Sequence, residues 1–144
     1  MKENTLTFLT SFIYIPSMFL GNIIGTAFTF YLNWWNSTMY YNDHWIPYMF
    51  EIGQFLGEAA HAIIPGIAGG YLSALFCTKI YQNYNLNIIM ILPILFSIFL
   101  IFPNIYLVIT LGDKLNLGLH ITTLITLISF YIFLRDEFIS SLKN

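Results

Sequence analysis

The sequence predicts an all-α membrane protein, a bundle of four transmembrane helices with a short interfacial helix before the second span. Three observations predict it. Of the 144 residues, 58% are hydrophobic and only 8% charged, where a soluble domain carries about 25% charged residues. The charges leave four uncharged windows, residues 4–42, 59–78, 80–112 and 115–134, of 39, 20, 33 and 20 residues. A helix needs about 20 mostly apolar residues to cross the hydrocarbon of a bilayer. Finally, runs such as Ile88-Ile89-Met90-Ile91-Leu92 are apolar on every face, whereas membrane strands alternate over about 10 residues.

The same arithmetic excludes several classes. A mean hydropathy of +0.73 excludes a water-soluble enzyme. A net charge of −2 without a basic patch excludes a nucleic-acid binder, and a single cysteine, Cys77, excludes a disulfide scaffold. No repeat or linker divides the chain, so residues 1–144 read as one polytopic membrane domain.

The first span is expected at about residues 6–32. It is too long for a signal-peptide core of roughly 7–15 residues and lacks a small-residue cleavage site, so it reads as a retained helix. The second is expected at 59–81, the third at 88–111 and the fourth at 115–134. Pro93 and Pro103 are expected to kink the third.

Orientation follows from the cations. Lys2 precedes span one, Lys79 ends span two, and Arg135 and Lys143 follow span four; Lys114 alone falls on the other side. The positive-inside rule then puts both termini in the cytoplasm of an inner or plasma membrane. An even number of spans requires the same.

The stretch 33–58 becomes the largest outward segment. Trp34, Trp35, Tyr40, Tyr41, Trp45 and Tyr48 are the amphipathic aromatics that gather at headgroup depth. Pro47 suits a first helical turn. A helix starting there places Glu51, Gln54 and Glu58 on one face, with Met49, Ile52 and Leu56 opposite. It either lies on the outer surface and leads into span two, or runs on unbroken to Tyr81. The unbroken form spans roughly 52 Å, longer than the hydrocarbon is thick, so part must protrude, tilt or break, with Pro65-Gly66 the place for a break.

Lipid competes for Leu and Ile as well as a neighbouring helix does, so small residues mark helix contacts. Ser17, Gly21 and Gly25 recur every four residues in span one. Gly53 and Gly57 repeat that spacing before span two, which carries Gly66, Gly69 and Gly70. Packing within the bundle is the first reading, and a surface for another subunit or a second copy is the other. Thr122, Thr126 and Ser129 form a hydroxyl stripe expected to bond across helices or back to their own carbonyls.

An ionisable group at membrane depth is a functional hypothesis by default. Glu51, Gln54, Glu58 and His61 descend one face of a helix, and Asn116, His120 and Thr123 descend another. Under this topology His61 and His120 lie within roughly one turn of the same depth near the outer face. Asp43, His44 and Asp113 fall in the outer loops. Three readings follow. Glu58 and His61 satisfy each other as an i, i+3 pair, and His120 hydrogen-bonds a neighbouring helix. A carboxylate beside a histidine holds or relays a proton, a cation or a small polar solute. Or Glu58, His61 and His120 hold a metal, or the two histidines a haem. Glu58-Ala59-Ala60-His61 has the Glu-x-x-His spacing of di-iron bundles, but once rather than twice. It also matches the end of the zinc-protease signature, whose first histidine would fall on Gly57. No nucleophile–base set or phosphate loop appears.

The expected function is therefore a small integral membrane protein, an accessory or oligomeric component of a membrane complex with a polar site near the outer face. A small channel or transporter is the alternative, and a haem- or metal-bearing subunit comes third. Its expected partners are the lipid bilayer and other membrane subunits or copies of itself.

Overall fold

The computed structural model describes residues 2–41, 49–112, 114–135 and 140, and side chains at 2–32, 60–103, 105, 108–110, 112, 117–135 and 140. Within them the chain forms helices α1 (Lys2–Ser11), α2 (Tyr14–Tyr41), α3 (Met49–Ile80), α4 (Leu86–Ile89), α5 (Ile91–Leu111) and α6 (Lys114–Leu134). Four stretches are long and apolar enough to cross a membrane: Lys2–Leu32, Ala60–Ile80, Leu86–Pro103 and Leu117–Leu134. Each overlaps one of the expected spans.

Span one starts earlier than expected, at Lys2, and is broken at Phe12–Ile13. The cause is Pro16, which has no N–H for the Phe12 carbonyl. Before it the backbone closes in two tight i to i−3 bonds, Phe12 N–H to Leu9 O (3.2 Å) and Ile13 N–H to Thr10 O (3.1 Å). Regular bonding restarts from Ser17 N–H to Ile13 O at 3.2 Å. Span three is interrupted at Met90, three residues before Pro93; Met90 N–H still bonds Leu86 O at 3.3 Å, and regular bonding restarts from Ile94 N–H to Met90 O at 3.0 Å. Its first turn is capped by Asn85, whose side-chain oxygen accepts from Asn87 N–H. Gly112, at φ +61°, ends α5 in the left-handed conformation.

Pro65 and Pro103 lie inside helices that continue past them. The break allowed at Pro65-Gly66 does not occur: α3 runs from Met49 to Ile80 as one helix. Pro65 is buried against Gly25 of α2, where even a methyl group would stand 2.5 Å from the Pro65 Cα.

Glycines set how closely the helices approach. A Cβ at Gly21 would stand 2.5 Å from the Ala68 carbonyl oxygen and from Gly69 Cα. Gly21 meets Ala68, Gly25 meets Pro65, and Ser73 reaches back to Tyr14, so α2 and α3 are antiparallel. Gly66 meets Thr122 and Ile125, and Gly70 meets Thr126 and Ser129. Each step of four along α3 is answered by a step of four along α6, so spans two and four run parallel. Gly21, Gly25, Gly66, Gly69 and Gly70 are buried within these contacts, and Ser17 is buried with its hydroxyl donating to Ile13 O of its own helix; Gly53 and Gly57 lie outside the residues whose surroundings are described.

The molecule is apolar outside and comparatively polar inside. Phe99, Phe102 and Ile109 are 71%, 74% and 76% exposed, while Thr29, Ser73 and Thr126 are fully buried. Water would punish that arrangement at about 25 cal/mol per Å² of exposed apolar surface, and lipid would not. Buried hydroxyls cost little because most bond back to their own helix: Thr7 to Glu3, Thr10 to Leu6, Thr29 to Gly25, Ser97 to Pro93 and Thr126 to Thr122. The apolar core proper is small. It gathers Tyr14, Met18, Ala74, Cys77, Ile89, Met90, Phe130 and Leu134 at the end of the bundle where spans one and three are broken.

Candidate functional site

The candidate residues fall into two groups. The side chains of Glu51, Gln54, Glu58 and Asn116 lie outside the described residues, as do Asp43, His44, Asp113 and the aromatics of the outer segment. His61, His120 and Thr123 are described.

His61 is half-buried on α3, on the side that faces α2, where the Phe30 ring meets it edge-on with centroids 5.4 Å apart. His120 is 9% exposed on α6, and its Nε2 is buried with no hydrogen-bond partner. One turn back along the register that pairs Gly66 with Thr122 brings Ala62 level with Gly118. The two histidines therefore share a level in the bundle. They do not share a face. At 3.6 residues per turn His120 sits roughly opposite Thr122 and Ser129, the residues that look toward α3.

Thr123 donates to its own helix, at the Leu119 carbonyl, 2.8 Å. Gly118 looks toward α3, yet a Cβ there would meet nothing within 4 Å. Among the described residues no group of three or more His, Cys, Asp or Glu side chains is close enough to hold a metal ion, and the opposed faces of His61 and His120 do not offer a haem two axial ligands.

His120 is the informative member. A buried polar nitrogen without a partner costs about 1–3 kcal/mol, so leaving Nε2 unpaired is a cost that an apolar residue would avoid. Among the described residues only the Tyr14 hydroxyl shares that state. Tyr14 is fully buried beneath Phe130, ring centroids 4.8 Å apart, with Ser97 beside its hydroxyl.

A polar residue that sequence reasoning passed over is Asn22. It is an amide in the middle of the 39-residue uncharged window of span one, and that isolation was the available signal. Its Oδ1 lies against Gly69 of α3 and accepts from Thr126 Oγ1 of α6 at 3.4 Å. One side chain thus touches three spans. Thr126 also donates to Thr122 O at 2.8 Å, so its hydroxyl hydrogen is shared between the two acceptors. The pair reads as a structural clamp rather than a site.

Compared with protein families, curated proteins and solved structures, the chain matches no family, no curated relative and no solved structure.

Proposed function

We propose that this chain is a small component of a membrane assembly that contributes a histidine-based polar site near the outer face. The observation that carries the reading is the buried Nε2 of His120, which has no partner among the described residues. A membrane helix that keeps such a nitrogen has a use for it. In this reading the docking of another membrane subunit, or of a second copy, shifts α6 enough to open a path to Nε2, which is covered in the chain alone, and brings it a side chain that removes the cost. Both termini face the cytoplasm in this reading, and the aromatic segment 33–58 is on the outer side.

The test is purification of the full chain from its native membrane in mild detergent. A subunit or second copy recovered in constant proportion from the native chain, and lost with His120→Leu while the chain itself still folds, is the expected result. Recovery of the same partner with His120→Leu would overturn the role given to His120.

A second reading has one observation in its favour. Buried hydroxyls and an amide recur along the interior, from Thr10 and Ser73 past Asn22 and Thr126, which supports passage of a proton or small polar solute. Proteoliposomes holding the chain alone would then carry a flux that Glu58→Gln or His61→Ala abolishes. Flux indifferent to both would remove this alternative.

A further inference from the structure

Spans one and three are broken by the same local construction. A proline occupies the third position of the helix that follows each break, Pro16 in α2 and Pro93 in α5. Regular bonding resumes one residue later in both, at Ser17 and at Ile94. Neither proline can donate to the preceding turn, and the first N–H groups of α2 and α5 have no partner within their own helix. Each joint is therefore held by fewer main-chain bonds than a helix interior.

The two joints meet in one place. Tyr14, which opens α2, packs in a single buried cluster with Ile89 and Met90, which form the other joint. The segments that precede the joints, α1 and α4, pack on each other. Under α1 lies Cys77 of α3, fully buried, its Sγ directed at the Thr10 carbonyl at 3.7 Å. Just before α4, the Tyr84 hydroxyl donates to the Leu134 carbonyl at the end of α6.

We propose that α1 and α4 form one flap at the end of the bundle that carries Lys79 and Arg135, turning about the joints at Phe12–Ile13 and Met90 and latched to α6 by Tyr84. A body attached through two joints, and tied to the end of α3 only by the short stretch 81–85, swings as a unit because its halves pack on each other. Opening breaks the Tyr84–Leu134 and Cys77–Thr10 hydrogen bonds, uncovers Ile89 and lifts α1 from Cys77. Closing covers the thiol. The flap lies far from His120 and does not depend on the function proposed for it.

Cys77 is the chain's one thiol, so its alkylation by N-ethylmaleimide, followed on the full chain in lipid nanodiscs, reports opening directly. Tyr84→Phe removes the latch hydrogen bond and is expected to raise the rate about three- to tenfold. Pro16→Ala restores a donor to the Phe12 carbonyl and is expected to lower it. Asn22→Ala, which loosens the opposite half of the bundle, is expected to leave it unchanged. A native rate in Tyr84→Phe, or equal acceleration by Tyr84→Phe and Asn22→Ala, would overturn the flap. Hydrogen exchange supplies a second reading that does not depend on the proline variant folding. In Tyr84→Phe the amides bonded across the two joints, those of Phe12, Ile13 and Ser17 and those of Met90 and Ile94, should lose protection together. Loss at one joint alone would show that α1 and α4 do not move as one body.

Discussion

The Asn22 side-chain oxygen accepts the Thr126 hydroxyl at 3.4 Å, tying α2 to α6 across the backbone of Gly69 in α3. Three spans converge on one amide because Gly69 has no side chain to keep it out.

Removing either partner should weaken the bundle by the amount typical of an interhelical hydrogen bond in lipid, about 0.6 kcal/mol and at most about 1.7. Asn22→Ala and Thr126→Val measured by reversible SDS titration in mixed micelles, with the double variant, give the coupling energy. The double variant should cost less than the sum of the two.

Glycine substitutions should separate close helix contact from open space. Gly21→Ala places a methyl 2.5 Å from the Ala68 carbonyl oxygen and Gly69 Cα, main-chain atoms that can yield only if the helices part. About 1–3 kcal/mol of stability should be lost. Gly118→Ala meets nothing within 4 Å and should gain up to about 1 kcal/mol from helix propensity. The same unfolding titration, run on both, checks the sign.

His120 should behave as a residue kept at a cost. His120→Leu removes the unpaired Nε2 and leaves an apolar side chain, so the isolated chain should be as stable as the native one or more so. A loss above about 1 kcal/mol would mean that Nε2 has a partner within the chain. Thermal unfolding in detergent measures it without any knowledge of the ligand.

Topology is testable without function. With the native thiol replaced (Cys77→Ala), single cysteines at Trp45 and Asp113 should react with a membrane-impermeant maleimide from the same side of the bilayer. Cysteines at Lys79 and Arg135 should react from the other. Positions 45 and 113 found on opposite sides would undo the four-span reading and the outward placement of the polar residues.

The spans were legible in the sequence because the physical requirement is one of length and composition, and the uncharged windows meet it. The glycine ridges were legible for a similar reason: Gly21, Gly25, Gly66 and Gly70 recur at helical spacing, and a missing side chain has few uses other than close approach. The effects of proline were not. Pro16 was passed over and breaks span one; Pro65 was offered as a break and leaves α3 whole. Burial does not sort the cases: Pro93 is buried at a break, whereas Pro103 is exposed inside a helix that continues past it.

The candidate site divides in the same way. Periodicity and rise per residue place His61 and His120 at one level, and the register of α3 against α6 agrees. Which way each imidazole faces depends on the rotation of each helix about its own axis, which its packing partners decide. By itself, the sequence determined that the chain is helical, that four stretches can span a bilayer, and which residues permit close approach, since each follows from local chemistry repeated along the chain. Tertiary structure alone decided that Asn22 would clamp three spans, that His61 would meet Phe30, and that His120 would be buried without a partner. Those outcomes depend on contacts between residues tens of positions apart, and no local pattern encodes them.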